Sequence, residues 1–405
     1  MSLEAYLRRV IREGDLKVTL PSGRAITLGD GSGPPVALRI TSRLWALKLA
    51  VYPSMALGEA YMAGGLVMET GGIHDLIELI GRNAGYRPLK RTNALARWWL
   101  DRRLQANARA AARRNVAHHY DLSVDFYRRF LDPDLQYSCA YFAEPDMTLE
   151  QAQAAKKQHI AAKLLLRRGQ KVLDIGCGWG GLGLSIARAA DVVVDGITLS
   201  AEQLATARWR SESSGMADRA RFTLTDYRDV AGPYDRIVSV GMFEHVGRPN
   251  YQDYFDQIAR LLKDDGVALV HAIGRSEGPA LNQPWVEKYI FPGGYIPALS
   301  EVMPCVERAG LIVADIEILR LHYAETLRCW RERFATQRAQ IAAIYDERFC
   351  RMWEFYLAIS ELAFRHRGHF VFQMQLTKRI DAAPITRDYM ARSDPRVAEP
   401  VRQVA

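Results

Sequence analysis

One decapeptide, VLDIGCGWGG at residues 172–181, constrains this chain more than any other stretch. Apolar residues run up to Asp174 and Ile175, Gly176, Gly178, Gly180 and Gly181 follow, and LGLSIARAA then has the composition of a helix. The pattern predicts a strand, a tight turn and a helix N-terminus. Glycine tolerates positive φ and lets a ligand approach the backbone closely. The free N–H groups and positive end of the next helix suit an electron-rich ligand. Dinucleotide and S-adenosylmethionine sites both use such a turn. The order G-x-G-x-G-G, instead of G-x-G-x-x-G, and the acid inside the strand favour S-adenosylmethionine over a nicotinamide or a purely structural turn.

From Gly169 onward, strand-like and helix-like stretches alternate. Residues 171–175 and 192–197 are followed by RFTLTD, DRIVSVGM and GVALVHAIG, and two late stretches, GLIVADIEIL and HFVFQMQL, complete seven strands. Such alternation predicts a doubly wound, mostly parallel α/β sheet with its ligands beyond the carboxyl ends of the strands. Ser200 is an expected N-cap, with Gln203 at the capping-box position. DMTLEQAQAAKKQHIAAKLLLRRG reads as one amphipathic helix with acids early and bases late, as the helix dipole prefers.

Residues 1–80 read as a small α/β domain: a helix in YLRRVIREG, two short strands about Pro21-Ser22-Gly23, helices interrupted by Pro53 and Gly64-Gly65, and a helix in GGIHDLIELIG. His74 and Asp75 fit a helix start better than an acid/base pair. A connector (81–117), a catalytic domain (118–380) and a tail (381–405) complete the expected division.

The chain's net charge of +8 is unevenly placed: ten Arg/Lys stand against the single acid Asp101 between Gly81 and His119, beside Trp98 and Trp99. A basic segment with paired tryptophans suits an anionic membrane surface, each basic residue contributing about 1 kcal/mol. A solvated connector is the plainer reading, and no nucleic-acid motif accompanies the charge. No apolar run approaches the ~18 residues of a membrane-crossing helix, and no leader pattern opens the chain, so a cytoplasmic protein is expected. Five scattered cysteines without a C-x-x-C read as reduced thiols, with no metal site.

Chemistry-bearing residues gather at the predicted strand ends. The second strand offers Thr198 where a ribose-binding acid is usual, the third Asp226 and Tyr227 for an adenine, the fourth Gly241, Glu244 and His245, and the fifth His271. Glu244 and His271, at neighbouring ends, suit proton acceptance or ion binding, or else a core ion pair. Cys139 reads equally as a nucleophile or a buried thiol.

Taken together, HYDLSVDFYRRFLDPDLQYSCAYF, LEQAQAAKKQHIAAKLLL, VLDIGCGWGGLG, GITLSAEQ, DYRDV, DRIVSVGMFEHVG, NYQDYF, the run KYIFPGGYIP and HYAETLRCWRERF resemble the cyclopropane-fatty-acyl-phospholipid synthases and mycolic acid cyclopropane synthases over about residues 118–378. The resemblance implies a class I S-adenosylmethionine-dependent methyltransferase fold acting on the cis double bond of phospholipid acyl chains. It implies a cofactor site of Tyr137, Ser138, Leu173, Asp174, Gly176, Gly178, Gly180, Thr198, Ser200, Gln203, Asp226 and Tyr227, with Gln203 answering the missing acid. It also implies a bicarbonate ion held by Cys139, Glu244, His271, the backbone at Ile273, and Tyr323, peripheral attachment to the inner membrane face, and compatibility with a homodimer. An acyl C-methyltransferase leaving a methyl branch or methylated alkene shares every motif. A lipid-binding protein on a decayed enzyme and a nicotinamide oxidoreductase fit less well, given the intact loop and Thr198.

Overall fold

The structure, a computed structural model, describes residues 2–85 and 122–390. The chain forms two compact units, one of Met1–Leu89, Asn282–Pro292 and Ala324–His369, the other of Lys90–Leu281, Gly293–Tyr323 and Phe370–Ala405. The expected division was contiguous. Instead, two stretches expected in the catalytic domain, 282–292 and 324–369, group with the N-terminal residues. Most of the basic connector and the end of the tail lie outside the described residues.

The first unit opens with α1 (Leu3–Val10), capped by Ser2, then β1 (Asp15–Thr19) and β2 (Ala25–Leu28), which form the expected hairpin about Pro21-Ser22-Gly23. β3 (Pro35–Ile40), α2 (Arg43–Val51), α3 (Pro53–Met62), β4 (Leu66–Thr70) and α4 (Ile73–Ala84) follow. The sheet runs β2-β1-β3-β4, with β3 parallel to β1 and antiparallel to β4. Neither β3 nor β4 was expected as a strand; each is a short apolar run hidden against a helical neighbour. Asp75 Oδ2 accepts the Gly72 N–H at 2.7 Å, so the His74-Asp75 pair does mark a helix start.

The second unit begins with α5 (Val124–Arg128) and α6 (Leu149–Lys163). Thr148 and Gln151 close a capping box on α6. β5 (Lys171–Ile175), α7 (Gly181–Ala190), β6 (Val193–Thr198), α8 (Ala201–Ser213), β7 (Ala220–Leu224), β8 (Tyr234–Val240), α9 (Tyr251–Leu261) and β9 (Leu262–Arg275) alternate as expected. After α10 (Pro284–Tyr289) come α11 (Leu299–Arg308), β10 (Ile312–Leu319), α12 (His322–Ile344), α13 (Glu347–His366) and β11 (His369–Thr377). The seven strands run β10-β11-β9-β8-β5-β6-β7, parallel from β9 through β7, with β10 antiparallel to β11. Apolar clusters on the two faces bury the central strands, as a parallel sheet requires.

Within the first unit, α10 and α13 pack on the N-terminal helices. Gly58 of α3 has the Trp285 and Phe355 rings so close that a Cβ there would lie 2.4 Å from Trp285 Nε1. Tyr61 donates to Glu354 at 2.8 Å, and His366 Nε2 meets Glu78 of α4 at 2.9 Å.

Candidate active site

Beyond the carboxyl end of β5 the backbone turns through Gly176, Gly178 and Gly180, at φ 83°, 55° and 83°. A Cβ at Gly178 would meet no atom within 4 Å; at Gly176 it would lie 2.9 Å from Met242 Cβ. Gly178 thus faces open space, a cavity lined by Tyr137, Ser138, Asp174, Gly176, Gly178, Thr198, Gln203, Asp226 and Tyr227. Three expected cofactor residues lie elsewhere. Leu173 faces the apolar core, because side chains on β5 alternate and Asp174 takes the cavity side. Gly180 is the N-cap of α7, and Ser200 caps α8 by accepting the Gln203 N–H at 3.3 Å.

The capping box expected at Ser200 is only half made. Gln203 Oε1 accepts the Thr198 hydroxyl at 2.8 Å instead of turning back to the Ser200 N–H, which goes to Thr198 Oγ1 at 3.2 Å. Among the described residues no group accepts from Gln203 Nε2. Asp226 receives Arg228 twice, at 2.8 Å from Nε and 2.6 Å from Nη2. Asp174 is fully buried, and its Oδ2 has no hydrogen-bond partner. Burial pushes its carboxyl up to about 7, against the pull of the Lys156 ammonium. A buried acid with an open oxygen, an amide with open hydrogens and a glycine whose missing side chain leaves space fit the ammonium, ribose and backbone contacts of S-adenosylmethionine.

A second group of residues lies where β8 ends at Val240, opposite His271 within β9. Glu244 Oε1 accepts the Ile273 N–H at 2.6 Å, and buried Oε2 has no partner. Burial raises the Glu244 carboxyl to about 7, against the Ile273 hydrogen bond. His271 is lowered by burial and by Lys156, Lys163 and His159, which keeps the ring neutral. Its Nδ1 lies 3.1 Å from Gln373 Nε2; accepting there leaves Nε2–H as the ring's donor. Glu244 and His271 do not pair with each other, so the core ion pair is corrected: each has a separate neutral partner. The Ile273 N–H, expected to face an ion, goes to Glu244. Cys139 is buried with its thiol donating to Ala140 O at 3.3 Å. Tyr323 is half-buried at the start of α12. Among the described residues no His/Cys/Asp/Glu cluster suits a metal.

Three functional neighbours escaped the sequence reading. Arg228 clamps Asp226 from two residues away, Gln373 reaches His271 from β11, and Lys156 is buried on α6. Lys156 precedes another lysine, and such a pair has the look of a solvated face. No local signal separates it from Lys157.

A family model described as mycolic acid cyclopropane synthetase matches residues 107–374, and one described as a domain of unknown function matches 3–87. A probable fatty acid methyltransferase of Pseudomonas putida is 38% identical over 86% of this chain and 88% of its own. The cyclopropane-fatty-acyl-phospholipid synthase of Escherichia coli K12 is 43% identical over 65% of this chain and 67% of its own. Among solved structures, a mycolic acid cyclopropane synthase in complex with SAH and CTAB superposes with a TM-score of 0.62 at 36% identity, covering 65% of this chain and 97% of that one.

Proposed function

Because the chain belongs to the mycolic acid cyclopropane synthetase family, a family of S-adenosylmethionine-dependent methyltransferases, we propose that it adds a methylene to the cis double bond of unsaturated phospholipid acyl chains to form a cyclopropane ring. One observation carries this reading. The turn after β8 and the β9 residues opposite the end of β8 hold a buried carboxyl, Glu244, with one oxygen open, and a neutral imidazole, His271, in the same unit as the cavity.

Gln203, Asp174, Ser138 and the glycine turn would hold S-adenosylmethionine, which supplies an electrophilic methyl. An alkene is a weak nucleophile, so the turn and the cavity walls must align the methyl with the π bond. The chain then has to pass a proton from the new methyl to a base for the ring to close. Cys139, Glu244, His271 and Tyr323 would hold bicarbonate, whose chemistry there is to accept that proton. Below about pH 7 Glu244 is mostly neutral, and the His271 Nε2–H is a donor, so both favour an anion over a cation at this position. A neutral Glu244 also keeps a bare carboxylate away from a cationic chain, where it would form an ester.

The Pseudomonas putida relative supports the second reading, an acyl C-methyltransferase giving a methyl-branched or methylated unsaturated chain. Peripheral attachment to an anionic membrane belongs to both. No helix among the described residues is long and apolar enough to cross a membrane. On α2, however, Leu44, Leu47 and Val51 are 59%, 61% and 74% exposed on one face, with Arg43 and Lys48 and without an acid. Such a face suits shallow burial in an anionic bilayer surface. Transfer of label from methyl-labelled S-adenosylmethionine to unsaturated, but not saturated, phospholipid tests the proposed activity.

A further inference from the structure

Lys156 is 1% exposed, and among the described residues its hydrogen bonds go to neutral groups. Its Nζ donates to Gln136 Oε1 at 2.7 Å and to Ser138 Oγ at 2.8 Å. One turn earlier on the same face of α6, Gln153 Nε2 donates to the carbonyls of Gln136 and Ser138, at 3.2 and 3.0 Å. One helix therefore fixes both backbone and side chains of the segment that walls one side of the cofactor cavity.

The direction of these bonds has a chemical consequence. An ammonium has only donors, so Ser138 Oγ is an acceptor toward Lys156 and must turn its own hydrogen elsewhere. Among the described residues no group accepts that hydrogen, and Ser138 lines the cavity. Gln136 likewise gives its oxygen to Lys156, and its Nε2 donates to Asp134 Oδ2 at 3.1 Å, leaving a second N–H. Burying an ammonium whose hydrogen-bond partners are neutral is unfavourable, and an anion beyond those partners adds to the relief that nearby carboxyls give. Burial accordingly lowers the Lys156 ammonium to about 8, with Asp132 opposing.

We propose that Lys156 is a positioning residue that makes the cavity select a cofactor with a carboxylate, by holding Ser138 and Gln136 as donors toward that group. The inference rests on the S-adenosylmethionine reading and extends it to the amino-acid end of the ligand. Bicarbonate is the other carboxylate-like anion the protein is proposed to bind, and the test separates the two.

The full-length protein is titrated calorimetrically with S-adenosylhomocysteine and with its decarboxylated analogue, which keeps the adenosine, sulfur and amine. Wild type is expected to prefer S-adenosylhomocysteine. Lys156→Met is expected to weaken S-adenosylhomocysteine roughly 10- to 100-fold, and the analogue by less than about threefold. Ser138→Ala, in which the lysine stays, is expected to show the same selective loss, and it carries the test if the lysine variant does not fold. Equal losses for both ligands, or an unchanged preference in Ser138→Ala, would overturn the proposal. So would a Lys156→Met protein that keeps its preference and loses only its response to added bicarbonate. Failure of wild type to bind either ligand would instead count against the cofactor reading.

Discussion

The carboxyl of Glu244 takes the backbone N–H of Ile273 at 2.6 Å, joining the turn after β8 to the neighbouring strand two residues past His271. The bond fixes one oxygen and leaves the other buried and open. That is a poor arrangement for stability and a useful one for holding an ion.

Glu244→Gln should therefore separate stability from activity. The folded pKa of about 7 lies above the ordinary 4.5, so the neutral carboxyl is the stable form in the folded state. Its contribution is fully present below pH 4.5 and is lost as pH rises through 7. The glutamine variant should match wild type near pH 4.5 and exceed it by roughly 2–3 kcal/mol at pH 8 in denaturant melts. Turnover should fall at least about tenfold with cofactor affinity unchanged. A variant destabilised at pH 8, with cofactor affinity and turnover falling together, would mark Glu244 as structural.

Asp174 should titrate when the cofactor binds. Free, it is largely protonated below about pH 7; an ammonium from the ligand favours the ionised form and expels the proton. Lys156 and Cys177 are its titratable neighbours, and neither gives up a proton at pH 6.5. Calorimetry of S-adenosylhomocysteine at pH 6.5 in buffers of different ionisation enthalpy should show release of up to about one proton. The release should vanish at pH 8.5 and in Asp174→Asn. Release that persists in Asp174→Asn would assign the proton to another group.

Membrane attachment should have an apolar and an electrostatic part. Replacing Leu44, Leu47 and Val51 together by Ser should weaken binding to anionic vesicles at every salt concentration. Replacing Arg102, Arg103, Arg113 and Arg114 by Gln should remove the salt-sensitive part, since exposed charges are screened over ~8–10 Å. Vesicle sedimentation that neither set changes would rule out both contributions.

The second unit was legible because a parallel sheet writes itself locally. The central strands are apolar runs, the strands from β5 to β8 end near chemistry-bearing residues, and Ser200 announces its helix. The glycine turn borders a cavity, and Asp174, Thr198, Gln203 and Asp226 line it. What stayed hidden depends on distant contacts. Gln373 meets His271 across 102 residues, and His366 of α13 meets Glu78 of α4 across 288. β3 and β4 are too short to stand out beside α2 and α3. Lys156 and Gln153 sit on a helix whose polar face turns inward, against the usual amphipathic expectation.

The most direct test of the central claim is the mass of the product. The protein is incubated with methyl-labelled S-adenosylmethionine and vesicles of cis-unsaturated phospholipid, and the released acyl chains are weighed before and after mild hydrogenation. Cyclopropanation predicts chains heavier by one labelled methylene that take up no hydrogen. A labelled chain that does take up hydrogen would establish the methylated alkene of the second reading, and unlabelled chains from protein that binds S-adenosylhomocysteine would contradict acyl-chain transfer altogether.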